Sequence, residues 1–167
     1  MLTGMFRNRE STEQAYNSLR ARGYSDEEIN VMMSDETRNT HFKKSDHDSE
    51  LGNKALGGAG TGSAIGGTAG AIIGALAAIG TAVALPGLGL VIAGPIAAAL
   101  AGAGAGGLTG GIVGALIGSG IPEDKAKEYE AGIKDGGIVM GVKPRNQEDA
   151  KYFRNEWKNS SAESIHR

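Results

Sequence analysis

The sequence predicts an α+β fold: a small ferredoxin-like sheet of βαβ…βα(β) form, carrying a long inserted Gly/Ala-rich antiparallel α-helical hairpin. Three observations lead there. Every charged and aromatic residue lies outside residues 55–122. The two charge-bearing blocks each read as strand, helix, strand. Within the uncharged block, two runs of glycine recur every fourth residue on either side of a Pro-Gly turn.

The chain has 167 residues, a length for one domain with an insertion. Its formal net charge is −2 and its pI about 5.9, which gives no basic footprint for a nucleic-acid partner. No cysteine is present, which excludes disulfides, thiolate metal sites and cysteine nucleophiles together. Glycine is in excess, 28 residues or about 17% against a usual ~7%. That excess is local. Residues 55–122 hold 21 Gly, 18 Ala and 20 Ile, Leu or Val, and no Asp, Glu, Lys, Arg or His. The opening Met1-Leu2-Thr3-Gly4-Met5-Phe6 lacks a basic start and meets Arg7 too early for a signal peptide, so both termini are expected in the cytoplasm.

In chain order, residues 1–33 read as the first half of an α/β head. Leu2, Met5 and Phe6 suggest a short strand. Ser11-Thr12-Glu13-Gln14 has the form of a capping box opening a helix through Tyr16 and Leu19, with Gly23 just past its end. Ile29 to Met33 reads as a second strand. Residues 34–54 read as a polar linker. Residues 55–121 form the expected hairpin, with its turn near 85–90. In residues 122–167, Pro122 stands at the first position of a helix with Glu123 and Asp124 in its first turn, running to about Lys134. Gly136-Gly137 stops it, and Ile138 to Val142 is a strand. Asn146 caps a helix carrying Ala150, Phe153 and Trp157, and Ser164-Ile165 suggests a last short strand. Strands two and three pair side by side in a ferredoxin-like sheet, so both ends of the insertion would leave from neighbouring points.

The expected helix-packing interface is Gly58, Gly62, Gly66, Gly70 and Gly74 facing Gly102, Gly106, Gly110, Gly114 and Gly118. Pro86, Gly87 and Gly89 make the turn between them, and the two runs are symmetric about Leu88. Each glycine costs a helix interior roughly 0.8–1 kcal/mol relative to alanine, so ten cost on the order of 10 kcal/mol. A solvated hairpin would not survive that, whereas close backbone approach offsets it through dispersion and Cα–H···O contacts. Ile65, Ile72, Leu76, Ile79 and Val83 fall on a separate, aliphatic face. Neither face suits water, so the hairpin is expected to meet lipid or further copies of itself. Helices over 56–84 and 95–119 would span roughly 40 and 37 Å, enough for a ~30 Å hydrocarbon core. The segment nevertheless lacks an aromatic belt and is poor in large apolar side chains.

Other signals are weak. Gly102-Ala103-Gly104-Ala105-Gly106-Gly107 satisfies GxGxxG but has no preceding strand, so no dinucleotide cofactor is expected. His41, Asp46, His47, Asp48 and Glu50 match no metal spacing and read as a solvated loop. Asn159-Ser160-Ser161 is a glycosylation acceptor without a secretory context. No nucleophile–base set, carboxylate pair or phosphate loop stands out, so no catalytic, cofactor or metal residues are assigned and an enzyme is not expected.

Several stretches resemble a bacterial general stress protein family of the YflT-like, heat-induced type. They are Arg7-Asn8-Arg9-Glu10 through Gly23-Tyr24-Ser25-Asp26-Glu27-Glu28-Ile29, then Met33-Ser34-Asp35-Glu36-Thr37-Arg38, and the segment around Leu85-Pro86-Gly87-Leu88-Gly89. Gly120-Ile121-Pro122-Glu123-Asp124-Lys125-Ala126-Lys127-Glu128-Tyr129-Glu130 with Gly136-Gly137-Ile138-Val139-Met140 is the most specific part. The resemblance implies a cytoplasmic-side bacterial protein made under stress, with no catalytic residues. Three functions are therefore expected in order: a homo-oligomer or larger assembly held by glycine faces; an inner-membrane hairpin with both termini cytoplasmic; and, by fold analogy, a ligand-sensing module.

Overall fold

A computed structural model describes residues 1–42, 83–85, 89–97 and 111–167. They form a mixed α+β structure, the class the sequence predicts. Strands β1 (Leu2–Phe6), β2 (Ile29–Ser34), β3 (Val83–Leu85), β4 (Leu90–Ala93), β5 (Ile138–Val142) and β6 (Glu163–His166) make one six-stranded sheet in the order β3-β4-β2-β5-β1-β6. All neighbours are antiparallel. The helices are α1 (Arg9–Ala21), α2 (Asp35–His41), α3 (Gly111–Gly118), α4 (Glu123–Lys134) and α5 (Gln147–Asn159).

The strands read as near-continuous apolar runs because both faces of the sheet are covered. Alternation then sorts their side chains. Leu2, Phe6, Ile29, Val31, Met33, Ile138, Met140 and Val142 pack with Tyr16 and Leu19 of α1 and Phe153 and Trp157 of α5. Met5, Met32, Leu90, Ile92 and Val139 point the other way, onto Ile112 and Leu116 of α3 and Ala126, Tyr129 and Ile133 of α4. Gly132 lets α4 lie close on β1: a Cβ built there would stand 2.0 Å from the Met5 sulfur.

Four helices stop by the same device. After α1, α3, α4 and α5 the paired bonds are Tyr24 N–H to Leu19 O with Gly23 to Arg20, Ile121 to Leu116 with Gly120 to Ile117, Gly137 to Gly132 with Gly136 to Ile133, and Ala162 to Trp157 with Ser161 to Lys158. Each is a Schellman pair, which needs a left-handed residue at its centre. Gly23, Gly120 and Gly136 supply it without a Cβ penalty, and Ser161 adopts it at φ 59°.

Three expectations need correction. The cap of α1 is Asn8, whose side chain accepts from Ser11 N–H at 2.8 Å; the Ser11 motif lies inside the helix. A capping box exists instead at Ser25 and Glu28. Residues 34–54 are not linker throughout, because Ser34 caps α2 and accepts from Thr37 N–H. The hairpin expected over 55–121 is not helical at its turn. Val83–Leu85 and Leu90–Ala93 pair as strands, Leu85 opposite Leu90, and β4 adds to the edge of β2. Short β-branched runs beside an available sheet edge gain ladder hydrogen bonds that a helix end lacks. Residues 95–97 are helical, where the second helix was expected to begin, and α3 opens at Gly111 with φ 59°; residues 98–110 lie outside the described residues.

Candidate functional site

Two features of the second face stand out: the outer side of α3, and a cleft at one end of the sheet. The sequence of α3 is Gly-Ile-Val-Gly-Ala-Leu-Ile-Gly, with no charged residue. Ile112 and Leu116 are buried in the core. At ~100° per residue, Gly114 falls about 200° from Ile112, on the side away from the sheet. No described atom comes within 4 Å of a Cβ built on Gly114 or Gly118. Between them Ile117 is 43% exposed, and among the described residues it is the large hydrophobic left open to this degree. The outer sides of α1 and α5 carry Glu10 and Arg20, and Glu148, Lys151 and Lys158, all exposed.

Of the glycines expected at a helix interface, Gly114 and Gly118 thus lie on a helix face that no described residue covers. Gly89 sits in the reversal between β3 and β4 at φ 58°, and its carbonyl accepts from Asp35 N–H at 2.8 Å. Gly58, Gly62, Gly66, Gly70, Gly74, Gly102, Gly106 and Gly110, with Pro86 and Gly87, lie outside the described residues.

The cleft, about 750 Å³, was not foreseen. Met1 before β1, Glu27 and Glu28 before β2, Pro95 and Ile96 after β4, and Lys143 to Arg145 after β5 line it, with Ser119 from the end of α3. Such a site assembles from four strand ends far apart in sequence, so no local motif announces it. Its floor is Asn30, 3% exposed. The Asn30 amide donates from Nδ2 to Gly141 O at 3.2 Å and accepts at Oδ1 from Ile96 N–H at 2.8 Å, tying β4's exit to β2. Gly94 makes this approach feasible: its φ is 95°, and a Cβ there would stand 2.2 Å from Ile29 O.

Arg145 forms one wall. Its guanidinium bonds Glu28 at 2.8 Å and Gly23 O at 3.1 Å and lies 4.2 Å from the Tyr24 ring centroid. The hydrogen bond from Arg145, then that from Ser25 N–H, holds the Glu28 carboxyl below the usual glutamate range. Tyr24 in turn donates to buried Asp149 at 2.8 Å. On the α3/α4 face, Tyr129 donates to Ser164 O at 2.6 Å and shares a 2.9 Å bond with Thr3 Oγ1. Burial pushes the Tyr129 hydroxyl up to about 12.

Among the described residues no group of three metal-ligating side chains comes together, and no helix is long and apolar enough to cross a membrane. His41 ends α2, its carbonyl accepting from Arg9 at 3.1 Å. Compared with protein-family models, curated proteins and solved structures, the chain matches none.

Proposed function

We propose that the chain is a non-enzymatic, self-assembling protein of the bacterial stress-response type, in which a ferredoxin-like head carries an uncharged segment that associates with further copies. The strand order β2-β5-β1-β6, with α1 and α5 on one face, supports the ferredoxin-like reading of the head. The observation that carries the assembly reading is the outer face of α3. A helix apolar on every side belongs in an interior, yet Gly114, Ile117 and Gly118 face away from the core. Residues 55–122 add no charge that would keep such a surface in water.

Light scattering on the purified full chain without detergent tests this. A mass of several chains is expected, reduced by Gly66→Leu or Gly110→Leu with the head's circular dichroism unchanged; a monomer at all concentrations overturns it. The lack of charge across 68 residues also suits a bilayer. Recovery only in the membrane fraction after a carbonate wash would favour that second reading, and full recovery in the soluble fraction would remove it.

A further inference from the structure

We propose that the strand-end cleft is a binding site for a small zwitterion with an apolar body, the class of apolar amino acids and dipeptides. This goes beyond the assembly reading and does not depend on it.

The size is that of a ligand pocket, which ordinarily holds 300–1,000 Å³. The walls divide by chemistry. Pro95 and Ile96 give an apolar side held rigidly, because Ile96 N–H is bonded to Asn30 and Gly94 rests on the Ile29–Asn30 backbone. Asn30 supplies a buried amide whose Nδ2 carries two N–H groups and bonds one acceptor, Gly141 O. Arg145 is committed to Glu28, so neither is left for a ligand. Two exposed charged side chains lining the cleft have no partner among the described residues: the Lys143 ammonium and the Glu27 carboxylate. They do not bond each other, and a ligand carrying one charge of each sign satisfies both. A simple anion would leave Glu27 opposing it, and a simple cation would leave Lys143 doing so.

Calorimetric titration of the full chain with leucine and with leucyl-leucine tests the site, beside N-acetyl-leucine, which lacks the ammonium, and leucine amide, which lacks the carboxylate. At least one zwitterion should bind, and each single-charge analogue should bind more weakly. Lys143→Gln and Glu27→Gln should each weaken the zwitterion about two- to fivefold, the size expected for an exposed ion pair. Lys151→Gln, an equal charge change on the outer side of α5, should leave binding unchanged. All three positions are exposed, so the variants should fold as the parent does. No heat with either zwitterion overturns the proposal. So does binding that Lys143→Gln and Glu27→Gln leave intact, or that Lys151→Gln weakens equally.

Discussion

One face of the sheet is packed by α1 and α5 around Phe6, Tyr24, Phe153 and Trp157, and both helices turn charged sides to solvent. The other is packed by α3 and α4 around aliphatic side chains and the single buried ring of Tyr129, and α3 turns glycine and isoleucine outward. The first face is complete within one chain: amphipathic helices bury one stripe and solvate the other. The second has such a helix in α4, whereas α3 is covered among the described residues only on the side that touches the sheet. Both layers are helix on sheet, so secondary structure alone does not distinguish them. What differs is α3, the one of the four covering helices without a charged side to end on.

Substitutions that remove one face's anchors should separate the two. Trp157→Ala empties the first core, where the indole packs edge-on to Phe6 at 5.8 Å, and should lower stability to denaturant by about 3–5 kcal/mol. Gly94→Ala acts on the second face. The added Cβ meets the Ile29 carbonyl at 2.2 Å and the backbone is left-handed there, so a loss of about 2–3 kcal/mol is expected in the same assay. Tyr129→Phe leaves Thr3 and the Ser164 carbonyl short of a partner and should cost about 1–2 kcal/mol.

Tyr129 also sets a pH test. Its folded-state pKa is raised, from 10.0 to about 12, so between those values the unfolded chain ionises first. Stability should therefore be constant in this respect below pH ~10 and fall as pH rises toward 12, with the slope reduced in Tyr129→Phe. The smallest effect concerns the end of α5. Ser161 takes the left-handed position that glycine fills after α1, α3 and α4, so Ser161→Gly should raise the melting temperature, by about 0.5–1 kcal/mol in stability.

The first face was the legible one. Helices α1 and α5 repeat their apolar residues at the helical period, and Gly23 and Asn146 mark boundaries by backbone chemistry that works locally. The second face was legible only in part, for a physical reason. In residues 55–122 nearly every position is Gly, Ala or aliphatic, so periodicity carries little contrast. Val-Ala-Leu and Leu-Val-Ile-Ala suit a strand or a helix end alike, and the free edge of β2 decides between them. Helix α2 escaped notice because it has seven residues and buries Thr37 alone, leaving no apolar stripe to read. The cleft escaped because its residues meet only once β1, β2, β4 and β5 are aligned. The reversal at 85–90 was located from Pro-Gly chemistry, which fixes where a chain turns and not what flanks the turn.

Gly114 offers a sharp way to separate fold from assembly. A Cβ there meets no described atom within 4 Å, and leucine raises helix propensity by up to ~1 kcal/mol, so the single chain should be no less stable. A packed glycine face would be blocked by the same side chain, and the mass in solution should fall.

The most direct measurement uses Ile117. The chain has no cysteine, so Ile117→Cys introduces one thiol on the outer face of α3. If that face is buried between copies, the thiol should react slowly with a maleimide in the native protein and at the free-thiol rate once unfolded, and mild oxidation should give a cross-linked dimer. A thiol that reacts at the free rate in the native state, in a chain that light scattering finds monomeric, would contradict the account.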